Sequence, residues 1–87
     1  MTLRNRFLDA IIDGNLGIGI TISRKEFIDF FSTENPQTTG CFLSNSEIRT
    51  GAMHSPGYTH FTIRIEEGRY RIHPDAIKAR MIERNLL

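Results

Sequence analysis

The sequence predicts a single α+β domain made of short helices and one β-hairpin. Three observations carry that expectation. His60 to Ile72 alternates apolar and polar residues on either side of Gly68, the period-2 pattern of two half-buried strands joined by a tight turn. Ser23-Arg24-Lys25-Glu26 is a capping box, in which the Ser23 side chain and the Glu26 carboxylate satisfy each other's backbone N–H groups at a helix start. Leu3, Phe7 and Ile11 recur at helical spacing between a Thr2 cap and Gly14.

Each element follows in order. The first helix is predicted over Leu3–Asp13, its apolar stripe widened by Leu8 and Ile12. Asn15 to Gly19 is a glycine-rich turn leading into Ile18-Gly19-Ile20-Thr21-Ile22, a short alternating segment read as a strand. Its glycines do not make a phosphate loop, because no Gly-Lys-Ser/Thr follows and the chain is too short for a βαβ unit. The second helix is predicted from the capping box to Ser32, with Phe27, Phe30 and Phe31 as core residues. Pro36 is read as ending it, since the residue before a proline avoids helical dihedrals.

Thr38 or Thr39 is then expected to cap a third helix, over about 38–50, stopping at Gly51. Cys41, Phe42, Leu43 and Ile48 make no clean stripe, so its buried face stays open. Its other residues are small and polar, a composition suited to touching something. Ala52 to Thr59 is a predicted loop, with turn chemistry at His54-Ser55-Pro56-Gly57. In the hairpin over 60–72, Phe61, Ile63, Ile65, Tyr70 and Ile72 are assigned to one greasy face, and Arg64, Arg69 and Arg71 to the other. His73-Pro74-Asp75 opens a C-terminal helix over 74–85, with Ile77, Met81 and Ile82 as its apolar stripe. Leu86 and Leu87 offer an apolar seam through which this helix could pair two copies.

Composition narrows the function. With 87 residues the chain makes one domain, 1–87, and its 39% hydrophobic and 24% charged content is that of an ordinary folded protein. Apolar runs are too short for a membrane span, and the N-terminus lacks the apolar core of a signal peptide. A lone Cys41 excludes an internal disulfide and suits a reducing compartment, so a cytoplasmic protein is expected. Net charge is only +1, yet arginines cluster at Arg4/Arg6, Arg64/Arg69/Arg71 and Arg80/Arg84. Cys41, His54, His60 and His73 match no zinc spacing, and no nucleophile elbow, HExxH or carboxylate pair stands out. Neither a metal, nor a cofactor, nor a catalytic residue is therefore assigned, and an enzyme is not expected.

With these ranges the order is α1-β1-α2-α3-β2-β3-α4. That order, the capped helix pair, and the segment Arg64-Ile65-Glu66-Glu67-Gly68-Arg69-Tyr70-Arg71-Ile72 resemble a winged helix-turn-helix domain. The segment is similar to the wing of small bacterial or phage winged helices, including those associated with restriction endonucleases. The resemblance covers Leu3 to Ile72 and implies a small sequence-specific DNA-binding protein, a transcriptional regulator, with helix 38–50 reading the major groove of double-stranded DNA. Ser44, Asn45, Arg49 and Thr50 would then meet base edges, since Arg and Asn pair bidentately with guanine and adenine. Thr38, Thr39 and Lys25 would contact phosphate, and Arg64, Arg69 and Arg71 would do so from the wing. The wing tip, Glu66-Glu67, is repelled by phosphate, so its flanks rather than its tip would approach DNA. The alternative is a protein-binding winged-helix module, a phage- or plasmid-type adaptor or inhibitor of a host complex, anchored by Tyr58, Tyr70 and Arg71.

Overall fold

The computed structural model describes residues 1–48 and 56–87. Among these, the order is α1 (Leu3–Ile12), β1 (Thr21–Ser23), α2 (Arg24–Phe30), α3 (Pro36–Asn45), β2 (Thr62–Glu66), β3 (Arg69–Ile72) and α4 (Pro74–Glu83). The three strands form one antiparallel sheet in the order β1-β3-β2, so the fold is mixed α+β. Of the loop expected over Ala52 to Thr59, the part up to Ser55, including His54, lies outside the described residues.

Local chemistry sets the first half of the chain. The Thr2 hydroxyl accepts the Asn5 N–H at 3.1 Å, and Gly14 takes positive φ just past the end of α1. Ile18 and Thr21 exchange two backbone hydrogen bonds, at 3.0 and 3.1 Å, so the Ile18 segment is a tight turn and the strand begins only at Thr21. Gly17 precedes that turn at φ +74, where an added Cβ would lie 2.6 Å from the Thr21 carbonyl oxygen. No other residue fits there. The capping box of α2 is formed in both directions, at 3.0 and 2.9 Å.

Five aromatic rings make the centre of the core. Phe7 meets Phe27 edge-on at 5.0 Å, Phe27 stacks on Phe42 at 5.0 Å, and Phe31 and Phe61 close the cluster. Phe30 does not join it as expected, and is 46% exposed. It packs its ring edge-on against Phe31 at 4.9 Å from the solvent side.

Helix α3 begins and ends earlier than the 38–50 expected. Asn35 caps it by accepting the Gln37 N–H at 2.8 Å, and Pro36 is its first residue. A proline costs nothing at that position because its missing N–H would have had no helical partner. Pro36 therefore starts a helix rather than merely ending the previous one. At the other end the N–H groups of Phe61 and Thr62 donate to the Ser46 carbonyl at 2.8 and 3.0 Å. The Ile48 N–H donates to the Thr62 carbonyl at 2.9 Å, and Glu47 bridges Thr62 in parallel. Pairing with β2 thus takes over from helical bonding after Asn45. The buried face of α3 is now defined by Thr39 and Leu43, with Phe42 half-buried beside them.

The hairpin departs from simple alternation. Glu66 stands opposite Arg69 across the Glu67-Gly68 turn, with Gly68 at positive φ. Unbroken pairing from there would place Ile63 opposite Ile72. Instead a bulge between Arg64 and Glu66 takes up Ile65, so Arg64 stands opposite Tyr70 and Thr62 opposite Ile72. One inserted residue turns β2 over. Thr62, not Ile63, enters the core, where its hydroxyl donates to the Leu43 carbonyl at 2.9 Å. That carbonyl belongs to the last turn of α3 and has no helical donor of its own.

Helix α4 closes the domain. His73 caps it through Nδ1, which accepts the Asp75 N–H at 3.1 Å. The helix ends at Glu83, short of the expected 85, because Asn85 adopts φ +59, a left-handed conformation that asparagine tolerates. Arg80 clasps α1 with a bidentate pair to Asp9 at 2.8 and 3.0 Å, and Arg84 reaches Asp13 at 3.1 Å. These bonds from Arg80 hold the Asp9 carboxyl below its ordinary value of 3.8. A folded-state value below the unfolded one means that the clasp stabilises fully above the ordinary carboxylate range and fades as pH falls through the folded value. Asp9→Asn is therefore expected to cost about 1–3 kcal/mol in urea unfolding at pH 7. The gap to the parent protein should shrink as the pH drops below 4 or so. A gap that stays constant into strong acid would contradict this assignment.

Candidate functional site

The bulge at Ile65 decides where the three hairpin arginines go. Directly paired residues share a sheet face. Ile22, Tyr70 and Arg64 pair across the sheet on the face that holds the core, whereas Thr21, Arg71 and Ile63 pair on the outer face. Arg69 shares that outer face and lies 3.4 Å from the Glu66 carboxylate. The expected single face with three arginines is thus split, and Ile65 is 53% exposed rather than buried.

Arg64 projects into an open groove of about 580 Å³ between the hairpin and the two helices α2 and α3. Ser23, Arg24 and Lys25 line it from the start of α2, Ser44 from α3, and Glu67, Gly68 and Tyr70 from the hairpin. The groove is held open by backbone chemistry. The Arg24 N–H donates to the Gly68 carbonyl at 2.7 Å, which fastens the hairpin turn to α2. The Arg24 guanidinium then crosses to α3 and donates to the Gly40 carbonyl at 2.9 Å. A Cβ at Gly40 would come within 3.1 Å of that guanidinium, so glycine leaves it room.

Three cations and one carboxylate therefore surround this groove. Lys25 carries Asp29 at 2.7 Å, and the carboxylate raises its pKa, keeping it charged. Arg64 is exposed and has no hydrogen-bond or ion-pair partner among the described residues. The arrangement attracts an anion along the hairpin flank. Among the described residues no group of three or more His, Cys, Asp or Glu is placed to bind a metal ion.

Beside the groove runs the exposed face of α3. Gln37 and Thr38, then Cys41, then Ser44 and Asn45 recur three to four residues apart along the helix and all face solvent. This face is polar and uncharged. The Ser44 hydroxyl donates back to the Cys41 carbonyl at 3.1 Å and keeps its lone pairs outward.

The residues nominated for DNA contact thus separate into groups. Lys25, Ser44 and Arg64 come together at the groove, and Thr38 and Asn45 lie on the adjoining face of α3. Thr39 does not belong: it is 2% exposed, and its hydroxyl lies 3.4 Å from the Pro36 carbonyl oxygen. Arg69 and Arg71 lie on the opposite face of the sheet. Arg49 and Thr50 fall outside the described residues. Sequence reasoning missed Arg24, whose signal was its place just after the Ser23 cap. Gln37 is missed because it precedes the expected start of the helix, and Cys41 because it counts among the apolar residues rather than the solvent-facing ones.

Comparison with known proteins finds no matching family model, no matching curated protein and no matching solved structure. No helix among the described residues is long and apolar enough to cross a membrane.

The orientation of α3 is directly measurable. Cys41 is exposed and is the only cysteine, so a thiol reagent should modify it in the native protein as fast as in urea, within a few-fold. Moving the thiol to the buried position, by Thr39→Cys in a Cys41→Ser background, should slow native-state labelling by orders of magnitude. Equal labelling of both would mean that α3 is rotated.

Proposed function

We propose that the chain is a winged helix-turn-helix protein that binds double-stranded DNA sequence-specifically and acts as a small regulator, with α3 as reading helix and the β2–β3 hairpin as wing. One observation carries the reading: an uncharged hydrogen-bonding helix face stands beside a groove lined by Arg24, Lys25 and Arg64. The mixed α+β architecture of four helices and a three-stranded antiparallel sheet is compatible with this reading.

The chemistry divides between the two surfaces. Asn45 offers both a donor and an acceptor to an adenine edge, and Thr38 and Ser44 offer hydroxyls to either base type. The groove cations supply the sequence-independent attraction to phosphate that sets register and orientation. Glu67 at the tip keeps the turn itself away from the backbone. The exposed Ile82, Leu86 and Leu87 at the end of α4 offer the seam for a homodimer.

Titration against random duplex DNA at increasing salt tests this reading. Binding should weaken steeply with salt, and Arg64→Ala or Lys25→Ala should each lower the slope of log K against log salt by about 1. The double variant Arg69→Ala/Arg71→Ala should bind like the parent. On a selected site, Asn45→Ala should cost about 1–3 kcal/mol at one base position only. Absence of binding at low salt, or an equal loss from the outer-face arginines, would refute it.

A further inference from the structure

The outer face of the sheet carries a second surface that the DNA reading does not use. Backbone pairing sets Ile18, Thr21, Arg71 and Ile63 side by side in one row across the sheet. At the spacing of paired strands this row is about 14 Å wide. Ile18 is 81% exposed, held out by the tight turn that Gly17 makes possible. Arg71 is exposed and has no anionic partner among the described residues. One step along the strands, the bulge lifts Ile65 into solvent beside Arg69. No described element packs on this face, whose residues are all exposed or half-buried.

We propose that this face is a docking surface for a protein partner, specifically a segment that interleaves carboxylates with apolar side chains. The composition of the face selects that chemistry. Single exposed isoleucines are ordinary, but Ile18 and the half-buried Ile63 flanking Arg71 in one row, with the exposed Ile65 in the bulge next to it, make an amphipathic patch. Arginine pairs bidentately with carboxylates and is enriched among residues that dominate protein interfaces. The isoleucines favour a protein occupant over nucleic acid, because a phosphate backbone gains nothing from them. Glu66 beside Arg69 further disfavours phosphate there. The surface lies on the opposite side of the hairpin from Arg64, so a partner bound here leaves the groove free. The inference stands whether or not the groove binds DNA.

Panning a random dodecapeptide phage library against the full chain tests the proposal. Enriched peptides are expected to interleave Asp or Glu with Leu, Ile or Phe. Their affinity should fall at least tenfold for Arg71→Ser and, independently, for Ile18→Ser. Both sites are on the surface, and unchanged melting temperatures would verify that the variants fold. The best peptide should shift the backbone amide resonances of Ile18, Ile63 and Arg71 and leave those of Thr38 and Asn45 in place. The proposal is overturned if no peptide is enriched, if the enriched peptides lack carboxylates, or if they bind both variants like the parent. Duplex DNA that shifts the Ile18 and Arg71 amides would assign the face to nucleic acid and overturn it equally.

Discussion

A single bulged residue, Ile65, governs how this molecule presents its charges. Side chains on a strand alternate with a period of two, so one extra residue reverses every side chain beyond it. Here the reversal sends Thr62 into the core and Ile65 out of it. It also sends Arg64 toward the helices while Arg69 and Arg71 stay outside. The exchange is tolerable because Thr62 has a buried partner. Its hydroxyl satisfies the Leu43 carbonyl at the end of α3, so a polar group on the core face joins two elements instead of costing desolvation.

The same economy runs through the other arginines. Arg80 and Arg84 hold α4 to Asp9 and Asp13 on α1. Arg6 reaches Glu34 beyond α2 at 3.1 Å, and Arg4 lies 4.0 Å over the ring of Tyr58 while donating to its carbonyl. Two of the three arginine clusters visible in the sequence are therefore fastenings between elements. Around the hairpin, Lys25 and Arg64 are exposed on one side and Arg71 on the other. A net charge of +1 conceals this sorting.

Local chemistry was legible in the sequence, and long-range pairing was not. Thr2, Gly14, the Ser23 capping box and Gly68 each act within a few residues, and each does what its neighbours imply. Pro36 was misread because proline both ends and begins helices, and Asn35 before it is a good cap only if a helix follows. The end of α3 depended on pairing with a strand more than a dozen residues away. The hairpin faces depended on a bulge that alternation cannot reveal, since an unbroken register suits the same residues. Of the nominated site, Lys25, Ser44 and Arg64 converge because α2, α3 and the hairpin meet there. Thr39 was lost to the burial of its helix face, and Arg69 and Arg71 to the bulge.

The register of the hairpin is the claim on which both proposed surfaces rest, and nuclear Overhauser contacts between backbone protons of β2 and β3 report it directly. The bulged arrangement predicts cross-strand contacts of Thr62 with Ile72 and of Arg64 with Tyr70. Contacts of Ile63 with Ile72 and of Ile65 with Tyr70 would mean an unbroken ladder with all three arginines on one face, and would contradict the account.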